Sequence, residues 1–173
     1  MLGTINQEIV AIAQRVRLLV LDFDGVLTDN HVYCDQNGTE QVRCWRGDGI
    51  GLNRLQSQGI SVYILSTETN PVVATRARKL GVPVQQGVVD KAAGIKDLAK
   101  NSYIDLHHVA FVGNDVNDLP ALKIVGLPIA VADAHRDIQS SVKMVTTAMG
   151  GKGAVREVCD FLCSLTLVQL ENE

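Results

Sequence analysis

Short, continuously apolar runs alternate with longer stretches of helical periodicity along this 173-residue chain. Arg17-Leu18-Leu19-Val20-Leu21 is apolar at consecutive rather than alternate positions, the mark of a strand covered on both faces. Residues 5–15 precede it, with Ile9, Ile12 and Ala13 spaced for one side of a short amphipathic helix. Further strands are predicted at 60–65, 82–84, 109–112 and 127–131, with a sixth at Met144-Val145. The intervening segments read as helices. One runs from Asp48 to Gln58 and stops at Gly59. Another has Asn70 as N-cap, Pro71 at its first position and Gly81 as its stop. Asp90 caps a third that continues through Lys100, and a last one begins near Gly153. Such alternation predicts an α/β fold with a doubly wound parallel sheet. One segment breaks the rhythm: about residues 31–45 read as a β-hairpin insert turning at Asn37-Gly38.

Composition narrows the class. Hydrophobic residues make up 46% of the chain and charged residues 20%, ordinary usage for a packed domain. Lys+Arg 16 against Asp+Glu 19 gives a net charge of −3, which disfavours nucleic acid or an anionic membrane as partner. No apolar run is long enough for a spanning helix, and Gln7, Glu8, Gln14 and Arg15 interrupt any leader-like layout, so a cytoplasmic protein is expected. One domain over 1–173 fits the length, with a C-terminal tail from about 150. Cys34, Cys44, Cys159 and Cys163 include no metal-binding pair at finger spacing and read as free thiols, the last two on a buried helix face.

In open parallel sheets ligands bind beyond the carboxyl ends of the strands, so the residues that follow each strand are informative. The first strand ends in Asp22-Phe23-Asp24-Gly25, the second in Ser66-Thr67, and the fourth in Gly113-Asn114-Asp115-Val116-Asn117-Asp118. Asp90-Lys91 opens the helix that follows the third. Singly, Asp24, Asp90, Asp118 and Ser66 are explained as caps or turn residues. Together they are not. Asp22 extends an apolar strand, where a carboxylate is costly to desolvate, and Lys91 stands against the helix dipole at a first turn. Converging carboxylates need a cation, and hard oxygen donors suit Mg²⁺. With Lys91 it would neutralise a phosphoryl group. Asp22 could then attack phosphorus, Asp24 could serve as acid and base, and Ser66 could donate to a phosphoryl oxygen.

These four segments, in this order, resemble the four motifs of the haloacid dehalogenase (HAD) phosphatase superfamily. The hairpin insert, Gly47-Asp48-Gly49-Ile50-Gly51, Val131-Ala132-Asp133-Ala134-His135 and Gly150-Gly151-Lys152-Gly153-Ala154-Val155-Arg156-Glu157 narrow the resemblance. They are similar to the capless subclass of 3-deoxy-manno-octulosonate 8-phosphate phosphatases and the related domain of CMP-sialate synthetases. The resemblance covers about residues 15–165. It implies a Rossmann-like fold without a cap domain, Mg²⁺ held among Asp22, Asp24, Asn114, Asp115 and Asp118, and a homotetramer whose subunits complete one another's sites. The substrate implied is a small phosphorylated sugar acid, with Arg46, Thr67, Lys152 and Arg156 as its binding residues. A non-catalytic tetramerisation or regulatory domain is the second reading, and a phosphoacceptor receiver the third. Three departures stand out: Ser66-Thr67-Glu68 replaces the usual Thr-Gly-Arg, Gly47 separates Arg46 from Asp48, and Asn114 occupies the usual Asp metal position.

Overall fold

In the computed structural model, which describes residues 6–170, the apolar run around Leu19 forms β1 (Leu18–Leu21), buried at every position. It lies between β4 (Ser61–Leu65) and β6 (Val109–Gly113), parallel to both. Outward from these lie β5 (Val84–Gln85) on one side, β7 (Leu127–Ala130) and β8 (Met144–Val145) on the other. The sheet order is β5-β4-β1-β6-β7-β8, all parallel, so the doubly wound expectation holds. The helices are α1 (Gln7–Ala13), α2 (Gly47–Ser57), α3 (Val72–Leu80), α4 (Lys91–Asn101), α5 (Leu119–Leu122), α6 (Arg136–Gln139) and α7 (Ala154–Leu170). Among the described residues no helix is long and apolar enough to cross a membrane.

Boundaries move where a backbone group is already engaged. Strand β5 starts two residues later than expected, because Val82 N–H bonds to Ala77 O at the end of α3 and Pro83 has no N–H to offer. Pairing with β4 therefore begins at Val84. Helix α1 is shorter than 5–15; Asn6 caps it by accepting from Glu8 N–H, and residue 5 lies outside the described residues. Asn70 caps α3 through its side chain, accepting from Val72 N–H, although the first helical residue is Val72 and not Pro71.

The hairpin is longer than expected. Strand β2 (Thr28–Cys34) begins directly after the first-strand loop and pairs antiparallel with β3 (Glu40–Cys44) as a separate two-stranded sheet. Asp35 Oδ1 accepts from Asn37 and Thr39 N–H and fixes the turn. Cys34 sits opposite Glu40, and Thr28 opposite Cys44, so the two hairpin cysteines are at opposite ends; all four cysteines are free. Helix α7 packs on α2 at Gly51, where an added Cβ would come within 2.7 Å of Arg156 Cδ and 3.0 Å of Cys159 Cβ. That close approach buries Cys159 and Cys163.

Candidate active site

The loops after β1, β4 and β6 and the first turn of α4 meet at the carboxyl edge of the sheet. Asp22 continues the ladder beyond β1 through its N–H to Val112 O, which anchors its Cα rigidly. Its Oδ1 accepts from Phe23 N–H at 2.7 Å and from Lys91 Nζ at 2.8 Å. Lys91 is buried, and its ammonium also donates to Asp118 Oδ1 at 2.6 Å. Burial works to lower the Lys91 pKa, but the flanking Asp22 and Asp118 carboxylates outweigh it and hold the ammonium charged. Asp22 is pushed up to about 7, first by burial and then by the Asp118 charge, against the pull of Lys91. One ammonium does not balance this group of acids.

Asp118 is fully buried behind Lys91. Its Oδ2 accepts from Asn114 N–H at 2.9 Å, and the absence of a side chain at Gly113 lets it fold back. A Cβ there would stand 2.6 Å from that oxygen. Asp118 was expected among the metal ligands; in the structure its Oδ1 accepts from Lys91 and its Oδ2 from backbone N–H groups. Asp115 caps the same turn, accepting from Val116 N–H at 2.7 Å. Ser66 is buried, and its Oγ accepts from Glu68 N–H at 3.1 Å, which leaves the hydroxyl proton to donate elsewhere.

A cavity of about 140 Å³ is lined by Asp22, Asp24, Asn30, Thr67, Asn114, Asp115 and Asn117. Asp24 is raised above the ordinary carboxylate range, by burial first and then by the Glu68 charge, with Lys91 opposing and Glu40 adding. Glu68 itself holds its own loop, its Oε1 accepting from Thr69 N–H at 2.6 Å and Asn70 N–H at 2.8 Å. Asn114 packs over Gly25, whose φ of 77° and missing side chain make the room. Among the described residues no three His, Cys, Asp or Glu side chains gather as a metal cage. The donors are fewer: the Asp22 and Asp24 carboxylates, the Asn114 amide and the nearby Asp115. With space for water and phosphoryl oxygens, that oxygen-only set fits Mg²⁺, which ordinarily takes one or two carboxylates and keeps waters.

Three expected substrate residues are not brought here by the single chain. Arg46 is exposed where the chain enters α2. Arg156 gives its N–H to Asp48 Oδ1 at 3.1 Å and its Nε to Asp160 Oδ2 at 2.7 Å. Lys152 lies by Met149 Sδ and, with Trp45 and Arg156, lines a larger cavity of about 490 Å³ that contains none of the strand-end acids. Conversely, Asn30 and Asn117 line the acid cavity without having been expected there. Asn117 lies inside the fourth motif and was legible; Asn30 depends on a strand irregularity that no local pattern announces.

Fold and site together define a HAD-like hydrolase. The family model described as haloacid dehalogenase-like hydrolase matches residues 73–157. The 3-deoxy-D-manno-octulosonate 8-phosphate phosphatase of Escherichia coli (strain K12) is 38% identical over 161 residues, covering 92% of this chain and 86% of that protein. The chain belongs to this family of phosphatases. A solved structure of the same enzyme from Moraxella catarrhalis, in complex with a magnesium ion, a phosphate ion and a KDO molecule, superposes with a TM-score of 0.90 at 32% identity, over 96% of this chain and 98% of that one. The Yersinia pestis enzyme superposes at 0.89 with 36% identity, over 95% and 89%.

Proposed function

We propose that this chain is a Mg²⁺-dependent phosphatase that hydrolyses a phosphorylated sugar acid through an aspartyl-phosphate. The observation that carries the reading is Lys91, buried and held between Asp22 and Asp118 beside the cavity that Asp24 lines. Lys91 fixes one Asp22 oxygen, and the other is the nucleophile. As the Asp22 oxygen bonds to phosphorus, the bond to the leaving oxygen breaks, and Asp24 gives that oxygen its proton. Asp24 then takes a proton from water as the water attacks the same phosphorus, releasing phosphate and restoring the Asp22 carboxylate. Ser66 and Thr67 donate to phosphoryl oxygens. Asp22, Asp24 and Asn114, with Asp115 adjacent, would hold Mg²⁺. When bound it supplies charge neutralisation, so that an anionic carboxylate and an anionic ester tolerate one another.

The substrate class rests on the relatives, which are named for 3-deoxy-manno-octulosonate 8-phosphate. Glu68 stands where that family usually has Arg, so the sugar acid need not be the same one. The reading extends to a single hydrolase unit over residues 1–173 that works as a homotetramer in the cytoplasm. Exposed Val32, Tyr33 and Trp45 on and beside the hairpin support association, and four free thiols suit a reducing compartment. Phosphate release from a panel of sugar-acid phosphates, with Mg²⁺ and with chelator, tests the proposal. Release that requires Mg²⁺ is expected. Absence of release from every ester would leave the tetramerisation domain as the better reading.

A further inference from the structure

We propose that Asn30, brought to the rim of the acid cavity by an irregularity in β2, is a specificity-determining residue whose carboxamide hydrogen-bonds hydroxyls of the substrate beyond its phosphate. The proposal rests on the sugar-acid phosphatase reading. Three observations converge on this residue.

The first is the backbone. Asn30 has φ 63°, and the described residues contain one other non-glycine at positive φ, Tyr103, which is 98% exposed in the turn after α4. Asn tolerates this left-handed region better than most residues, yet glycine adopts it more freely. Backbone geometry alone therefore accounts for glycine at least as well as for Asn. The second is the cause of that geometry. Thr28 pairs with Cys44 and Val32 with Val42, so four steps on β2 oppose two on β3. The two extra residues form an irregularity centred on Asn30. Bulges of this kind re-aim a side chain and cluster beside active sites. Asn30 N–H is fixed at 3.2 Å on Thr28 Oγ1, which also accepts from Gly25 N–H at 3.0 Å. The loop carrying Asp24 and the irregularity carrying Asn30 thus share one buried hydroxyl, so Asn30 is positioned relative to the reacting centre.

The third is volume. About 140 Å³ is well below the roughly 300–1,000 Å³ of pockets that enclose a whole ligand. The cavity accommodates a phosphoryl group, and the rest of a sugar-acid phosphate must cross the rim, where Asn30 is exposed. A carboxamide both donates and accepts, which matches adjacent hydroxyls of a polyol chain; p-nitrophenyl phosphate presents no hydroxyl to it.

The test compares the wild type with Asn30→Gly and Asn30→Asp on a panel of six- to nine-carbon sugar-acid phosphates and on p-nitrophenyl phosphate, all with Mg²⁺. Asn30→Gly relieves the backbone and is expected to melt no lower than the wild type. Its ratio of kcat/KM for the best sugar-acid phosphate over that for p-nitrophenyl phosphate should fall about fivefold, through KM, as expected for one lost hydrogen bond. Asn30→Asp, which keeps the backbone tolerance but adds a charge beside an anionic ester, should lower the ratio further. An unchanged ratio in Asn30→Gly overturns the proposal and makes Asn30 a backbone residue only. A wild type that shows no preference for any sugar-acid phosphate overturns it as well, while leaving the phosphatase reading intact. Absence of hydrolysis of every ester in the panel by the wild type would defeat that reading itself.

Discussion

The acid cavity and the region around Trp45 are built on opposite terms. At the carboxyl edge of the sheet the polar groups are buried and answered: Lys91 has two carboxylates, Asp118 has Lys91 and a backbone N–H, and Ser66 has Glu68 N–H. Around Trp45, apolar surface and cationic side chains face outward. Arg46 is exposed, Lys152 donates to Met149 Sδ, and among the described residues buried Asp48 Oδ2 has no partner. The difference separates two tasks. On the proposed reading, phosphoryl chemistry is wired within one chain, whereas the surface assigned to the body of the substrate is left open for the second subunit that the reading calls for.

Breaking the wired half should have the largest effects. Asp22→Asn keeps shape but removes the attacking charge, and kcat should fall by about a thousandfold or more with the melting temperature little changed. Near wild-type turnover by this variant would sink the nucleophile assignment. Lys91→Met leaves Asp22 and Asp118 buried without their cation. A loss of about 3–5 kcal/mol in denaturant unfolding is expected, together with loss of turnover. A variant as stable as the wild type would mean that the pair is not charged as described.

Much of the wired half is legible in the sequence, because it follows from local grammar. Consecutive apolar residues betray β1, and a carboxylate directly after them betrays a site. The remainder depends on partners distant in the chain. Asp118 meets an ammonium 27 residues away in the chain, as Gly113 allows the carboxylate to fold back. The late start of β5 is decided by a carbonyl at Ala77, and the rim position of Asn30 by a register shift against β3. Arg156 reads in sequence as a free cation, yet Asp160 one turn along α7 takes its guanidinium.

A smaller effect is expected at the metal. Asn114→Asp adds one negative donor charge, so the Mg²⁺ concentration that half-saturates activity should fall by a factor corresponding to ~1 kcal/mol. Unchanged or weaker dependence would remove Asn114 from the ligand set. The open half yields a gentler test still. Asp48 is held protonated to about 6, chiefly by burial, against an ordinary value of 3.8. Between those values the folded chain binds more protons than the unfolded one, so stability falls as pH rises through that window and the full cost is present above it. Asp48→Asn keeps an acceptor for Arg156 N–H and removes the ionisation. Its stability relative to the wild type should therefore rise by about 2 kcal/mol from pH 4 to pH 7 in denaturant titrations. A difference that is flat with pH would show that ionised Asp48 carries no cost.

The central claim is that Asp22 becomes phosphorylated, and an Asp24→Asn variant tests it most directly. With ³²P-labelled p-nitrophenyl phosphate the leaving group needs no proton, so the first step proceeds and the second, which needs Asp24 to activate water, stalls. Acid quench and peptide mapping should then recover label on the peptide that carries Asp22, and hydroxylamine should release it as an acyl phosphate. Nitrophenol release without protein-bound label, or label on any other peptide, would contradict the account.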